Sequence, residues 1–168
     1  MIQLKSKLGK YPIVVGIIIL VGLISYFFLY SSHQPYLVVE VIDGDTIKVK
    51  VSRKIETVRL IGIDTPEVSD CFGDKATERI KELLKDKKVY LLPDPLSSDR
   101  GKYDRLLRYV FLPSGLCLNA TLIQEGYAFN YIYQPFQFMK QFDYLEKEAR
   151  ENRLGLWSDQ CDYYFEIE

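Results

Sequence analysis

Four carboxylates and two arginines stand where strand-like runs end, and their types suit chemistry at phosphorus. Asp43 and Asp45 flank a glycine in "VIDGDTIKV", and Asp64 and Glu67 follow further along in "DTPE". Either pair alone suits a turn, since Asp-Gly favours hairpins and a proline breaks a strand. Together they describe a site for a hard cation, because Ca²⁺ and Mg²⁺ take carboxylates, backbone carbonyls and water. Pro66 biases Thr65 toward extended backbone, which frees the Thr65 carbonyl to face an ion. An EF-hand is excluded, because the segment after Asp45 lacks the loop's central glycine and closing glutamate.

Arg59 interrupts the otherwise apolar run "VRLIGID". A guanidinium buried there needs an anion, and the alternative is an exposed edge strand. Arg105 and Arg108 open a second such strand in "YDRLLRYVF". Arginines converging on a rim that also holds a divalent ion form a phosphate clamp, because the planar fork matches two oxygens at once. A carboxylate beside them positions or deprotonates water, which completes the set for phosphoryl transfer.

These residues need a frame, and the hydrophobic pattern supplies one. "YLVVEVID", "TIKVKV" and "ETVRLIGID" read as three successive strands; in the second, Ile47, Val49 and Val51 share one face. The period then changes, with Ala76, Ile80, Leu83 and Leu84 at helical spacing until "KDKK". "VYLLPD" and "RLLRYVFL" are a fourth and a fifth strand. A short helix from about Asn119 ends at Gly126, and a last helix carries Phe138, Phe142, Leu145 and Ala149 on one stripe. Five strands with a helix between the third and fourth give the element order of an OB-fold, a five-stranded Greek-key barrel, here with three helices. "NAT" at Asn119 fits the glycosylation pattern but opens a helix.

Residues 11–32 carry no side chain that ionises in the physiological range, and "PIVVGIIILVGLISYFFLY" is long enough to cross the hydrocarbon layer, which takes about 20 residues. A cleaved signal peptide is the rival, but the run is too long and lacks an Ala-x-Ala site. The expected organisation is a cytoplasmic N-terminus at 1–10, a transmembrane anchor at 11–32 and one domain at 36–168. Lys5, Lys7 and Lys10 put the N-terminus inside, so the domain faces outward, extracellular or periplasmic. Without those three lysines the 22 basic residues fall to nineteen against 23 acids, a formal −4, so a polyanion must be met by local positive charge. One histidine, His33, and no CxxC make a zinc site improbable. Cys71, Cys117 and Cys161, in an oxidising compartment, give one disulfide and one thiol, with three pairings open.

The set "VIDGDTIKV", "VRLIGIDTPE", "DRGKYDRLLRYVF", "LNATLIQEGYA" and "GLW", in that order over nearly all of residues 36–158, closely resembles the staphylococcal nuclease (thermonuclease) family. The resemblance implies an OB-fold enzyme that uses Ca²⁺ to cleave the phosphodiester bonds of DNA and RNA, leaving 3′-phosphate and 5′-hydroxyl ends. It implies calcium ligation by the Asp45 and Asp64 carboxylates and the Thr65 carbonyl. Arg59 and Arg105 take the places of the two catalytic arginines, and Glu67 that of the base or water-orienting carboxylate. Asp43 is left to fix the turn. Tyr103, Tyr131 and Tyr133 fall where the family lines its nucleotide pocket, with core packing as the alternative. Noncatalytic nucleic-acid or protein-binding modules share this fold, but they are expected to have lost these acids and arginines. No obligate protein partner is implied, and the catalytic domain is expected to be monomeric.

Two positions depart from the family pattern. Asp104 replaces the usual glycine before the second arginine, and Gly101 stands where an aspartate is common. An acid at 104 either pairs with Arg105 and weakens its hold on phosphate, or points to solvent. The domain's negative charge predicts weaker nonspecific affinity for long duplex DNA. Cys71 in "DCFGDKAT" and Cys161 in "WSDQC" would form the disulfide if the first and third helices pack side by side, leaving Cys117 as a buried thiol.

Overall fold

The structure, a computed structural model, describes residues 34–85 and 88–161 together with Ile19. Apart from Ile19, the expected cytoplasmic segment and anchor lie outside the described residues. Among the described residues no helix is long and apolar enough to cross a membrane. The chain divides into two compact units, Met1–Gln34 and Pro35–Glu168, of which the second holds the barrel.

β1 (Tyr36–Val41), β2 (Thr46–Val51) and β3 (Lys54–Leu60) form an antiparallel meander. Its alternation decides which face turns inward: Val38, Ile47, Val49 and Val58 are buried, while Lys50 and Ile55 are exposed. After β4 (Ile63–Asp64) and helix α1 (Gly73–Leu83) come β5 (Lys88–Leu92) and β6 (Leu106–Phe111), paired antiparallel. β1 pairs with β5 and β3 runs parallel to β6, closing the barrel in the order β1-β2-β3-β6-β5. This is the five-stranded closed barrel expected of an OB-fold, with a helix between the third and fourth barrel strands.

The expected third strand, "ETVRLIGID", is not continuous. The barrel strand ends at Leu60, and Gly62 turns with φ +73°. Ile63 and Asp64 then pair with β7 (Phe129–Asn130) in a separate two-stranded sheet. A side chain at position 62 would put its Cβ 2.7 Å from the Phe136 ring, so the turn takes glycine for space as well as for φ. The break directs Asp64 away from the barrel wall and toward the rim.

Helix α1 buries Ala76 and Ile80, α2 (Leu118–Gln124) buries Leu118, Leu122 and Ile123, and α3 (Met139–Glu151) buries Phe142 and Ala149. Each large side chain removed from water contributes about 1.5–3 kcal/mol, which explains why the helices dock at these faces. Asn119 is fully buried; its Oδ1 accepts from the Val110 amide at 2.9 Å and its Nδ2 donates to the Ile61 carbonyl at 2.9 Å. The asparagine thus ties α2 to β6 and to the turn before β4, and no glycan fits there. A smaller cluster of Ala149, Leu156 and Trp157, with Phe72 and Phe129 against it, fastens the end of α3, and the Arg150 guanidinium lies 3.9 Å from the Trp157 ring.

Cys71 and Cys161 form a disulfide, with Cα atoms 5.9 Å apart. The bridge does not come from α1 lying against α3, since α1 and α3 each pack on α2. It joins the loop before α1 to the turn after the 3₁₀ segment Gly155–Trp157. Cys117, at the N-cap of α2, is the free cysteine among the described residues and is half-buried; burial pushes its thiol above the ordinary value.

Candidate active site

The β1–β2 turn supplies the first acids. Asp43 Oδ1 accepts from the Asp45 amide at 3.0 Å, and the Ile42 amide donates to the Thr46 carbonyl at 2.9 Å, so Asp43 shapes an Asx-type turn. A Cβ on Gly44 would lie 2.8 Å from Thr65 Oγ1 and 2.9 Å from the Ala76 methyl, so the turn packs directly on the "DTPE" segment and α1. Asp45 is thereby buried at 6 % exposure. Its Oδ1 accepts from Thr46 Oγ1 at 2.8 Å, and its Oδ2 accepts from the Thr65 amide at 3.2 Å and Thr65 Oγ1 at 3.3 Å.

Arg59, the penultimate residue of β3, is not on an open edge. Its Nη2 lies 2.9 Å from Asp45 Oδ2 and 2.7 Å from Asp64 Oδ1, while Nη1 donates to the Ile63 carbonyl at 2.8 Å. One guanidinium nitrogen therefore bridges two carboxylates. Burial pushes the Asp45 carboxyl up to about 6, with Arg59 opposing the rise and Asp43 adding to it. Asp64 is raised in the same way, again chiefly by burial. Two carboxylates held this close and partly dehydrated favour an added cation.

That observation bears on whether a metal fits. Among the described residues no three His, Cys, Asp or Glu side chains gather into a complete metal cluster. The two carboxylates nevertheless already share a positive nitrogen, and the other donors along the cleft, from Asp43, Thr65 and Glu67, are oxygens as well. An all-oxygen set of this kind suits a hard divalent cation whose coordination is finished by water.

Asp43, Asp45, Arg59, Asp64, Thr65, Glu67, Tyr103 and Arg105 line one cleft of about 450 Å³. A second cleft of about 420 Å³ adjoins it through Arg59, Asp64 and Arg105, and is bordered by Lys102, Leu107, Tyr131 and Phe136. Arg105 precedes β6 and reaches both. It donates from Nε to the Lys102 carbonyl at 3.2 Å and makes no ion pair among the described residues. Tyr103 is 77 % exposed beside the ion-facing cleft, and Tyr131 borders the second cleft. Tyr133, 82 % exposed, lines neither but has its ring 5.0 Å from that of Tyr131. None of the three is core.

One expectation needs correction. Arg108 does not join the rim: its Nη2 is 2.5 Å from Asp99 Oδ1, its Nη1 donates to the Asp99 and Leu107 carbonyls, and it lines neither cleft. Of the two alternatives for Asp104, pairing with Arg105 does not occur: its side chain is 84 % exposed, with the carboxylate 3.5 Å from Arg100. Sequence reasoning passed over Lys102, which sits 4.8 Å from the Tyr103 ring and borders the second cleft. Its position beside Tyr103 and between the clefts' two arginines was the available signal.

The chain is similar to known proteins over much of its length. The family model described as staphylococcal nuclease homologue matches residues 57–159. A protein of Escherichia coli O157:H7 named an uncharacterized endonuclease is 36 % identical over 122 residues, covering 73 % of this chain and 76 % of that protein. Endonuclease YncB of Bacillus subtilis is 41 % identical over 125 residues, covering 70 % and 58 %. Thermonuclease of Staphylococcus hyicus is 34 % identical over 136 residues, covering 77 % and 79 %. With Arg59, Asp64, Thr65, Glu67 and Arg105 and the strands β5 and β6 inside the matched region, the chain belongs to the staphylococcal nuclease homologue family.

Proposed function

We propose that this nuclease is a Ca²⁺-dependent endonuclease that hydrolyses the phosphodiester bonds of DNA and RNA to 3′-phosphate and 5′-hydroxyl ends. The observation that carries the reading is that Asp45, Asp64, Thr65, Glu67, Arg59 and Arg105 border one cleft. The relatives named thermonuclease and endonuclease support a nucleic-acid substrate. In this reading the Asp45 and Asp64 carboxylates and the Thr65 carbonyl hold the ion. A bound ion supplies a Lewis acid for a phosphoryl oxygen.

Glu67 orients a water and accepts its proton as the water oxygen bonds to phosphorus, and the bond from phosphorus to the 5′ oxygen breaks, that oxygen taking a proton from solvent to leave as the 5′ hydroxyl. Arg105, free of carboxylate partners among the described residues, meets the phosphate, and Arg59 adds charge-assisted donors as negative charge builds on the equatorial oxygens. Tyr103 and Tyr131 offer faces on which a base stacks. The apolar run at 11–32, with Lys5, Lys7 and Lys10 before it, supports a single-pass anchor in the cell membrane with the domain outside. The disulfide suits an oxidising compartment.

The test incubates the full chain with single-stranded DNA in Ca²⁺ or chelator, beside Arg59→Ala and Glu67→Ala. Cleavage should require Ca²⁺ and fall by at least about 10²-fold in each variant. Activity that survives chelation, or that both substitutions leave untouched, sinks the mechanism; binding without cleavage favours the noncatalytic module. Protease added to intact cells should digest the domain, and a protected domain contradicts the outward orientation.

A further inference from the structure

The turn that presents Tyr103 and Arg105 is built from a conformation its residues resist. Tyr103 and Asp104 are consecutive left-handed residues, at φ 61° and φ 60°, and neither is glycine. Such backbone persists only where surrounding contacts hold it. The turn closes through the Gly101 amide, which donates to the Arg105 carbonyl at 2.9 Å, and through an Arg100–Leu106 bridge.

Arg100 supplies the contacts that tie the turn to another strand. Its Nη1 donates to the Asp104 carbonyl at 2.7 Å, and Nη1 and Nη2 both donate to Glu56 Oε2 at 3.0 Å. The Asp104 carboxylate lies 3.5 Å from the same nitrogen. Glu56 belongs to β3, the strand that carries Arg59. One guanidinium fork thus fastens the turn bearing the second cleft arginine to the strand bearing the first.

We propose that Arg100 is a positioning residue, which sets where Arg105 and Tyr103 stand relative to Arg59 by locking the left-handed pair. It touches neither cleft, so its effect passes through the turn. The inference rests on the nuclease reading for its effect on rate, but not for its effect on the backbone. Arg100→Ala should lower kcat on single-stranded DNA with Ca²⁺ by about 10-fold while KM moves less, because misplaced donors weaken the transition state more than the ground state. Arg100→Lys keeps the charge but lacks the fork, so it should recover only part of the rate.

The decisive variant is Arg100→Ala combined with Asp104→Gly. Glycine adopts φ near +60° without a clamp, so the double variant should recover kcat to within about 3-fold of the parent. Amide exchange of Gly101, measured without substrate, should speed up by about 10-fold in Arg100→Ala and slow again in the double variant. Parental kcat and parental Gly101 exchange in Arg100→Ala overturn the proposal. So does a double variant in which neither is restored, which would reduce Arg100 to a general stabilising ion pair. A parent chain that fails to cleave DNA refutes the nuclease reading, while the exchange comparison still decides the clamp.

Discussion

Replacing Cys71 and Cys161 together with serine removes the disulfide, and the structure sets the size of the loss. The bridge spans a sequence separation of 90 residues, so the barrel strands β5 and β6 and all of α1, α2 and α3 lie inside the closed loop. In the chain-entropy description, freeing a loop of that length restores about 4.6 kcal/mol of unfolded-state entropy at 25 °C. A domain of this size holds about 5–15 kcal/mol in all, so the loss takes a large share of it. The thermal midpoint should fall by roughly 15 °C. Urea titrations followed by circular dichroism should give a lower midpoint together with a steeper slope, since the uncrosslinked chain exposes more surface when unfolded. Cys71→Ser alone, Cys161→Ser alone and reduction of the parent should match the double variant, because each opens the same loop. Thiol counting supplies the control: among the described cysteines the native chain exposes one titratable thiol, Cys117, before reduction. A double variant within about 1 kcal/mol of the parent refutes the reasoning, because it would mean that the two loops stay together without the bond.

Three further outcomes follow from named contacts. Burial alone would raise the Asp94 carboxyl, but hydrogen bonds from Tyr109 and from the Gln137, Leu96 and Ser97 amides hold it below its ordinary value. Its stabilisation is therefore present above the unfolded value near 3.8 and is lost as pH falls through the lower folded value. Asp94→Asn should cost about 2–3 kcal/mol at pH 7 and much less near pH 2, as denaturant titrations at both pH values would reveal. Gly62→Ala should cost more than about 2 kcal/mol, from the strained φ and the clash with Phe136, and a parental melting temperature would contradict it. With Asp45 raised to about 6, the folded ion-free chain binds that proton more tightly than the unfolded chain. This group therefore favours folding at low pH and loses that contribution as pH rises through 6, while added Ca²⁺ should stabilise more at pH 7.5 than at 5.5 because protons compete for the carboxylate. Melts with Ca²⁺ and with chelator at both pH values check the sign.

The parts legible in the sequence are those whose signal is local. Ile47, Val49 and Val51 alternate within one strand, and Ala76 and Ile80 recur one helical turn apart, so the face each element buries can be read from a few neighbours. The turn role of Asp43 is equally local, because its partner is the amide two residues away. The break at Gly62 is not local: apolar residues stand on both sides, and only pairing with Phe129 and Asn130 decides that Ile63 leaves the barrel. Arg105 and Arg108 look alike in "RLLR", yet Asp99 engages one and leaves the other facing the clefts. The contact of Arg100 with Glu56 joins distant elements and has no counterpart in either one's pattern.

The parallel seam between β3 and β6 governs when the site comes into being. Val58 meets Leu106 and Arg59 meets Leu107 across that seam, so the two cleft arginines remain far apart until a long intervening segment has folded. Closing a loop of that length before its contacts form is slow compared with forming the β1–β2–β3 meander, which needs only short hairpins. A nascent chain that has reached Glu67 already owns its acids but has no second arginine. Hydrolytic competence is therefore a late property of synthesis and folding, acquired with barrel closure, and a truncated chain of this nuclease ending before Leu106 cannot assemble the rim.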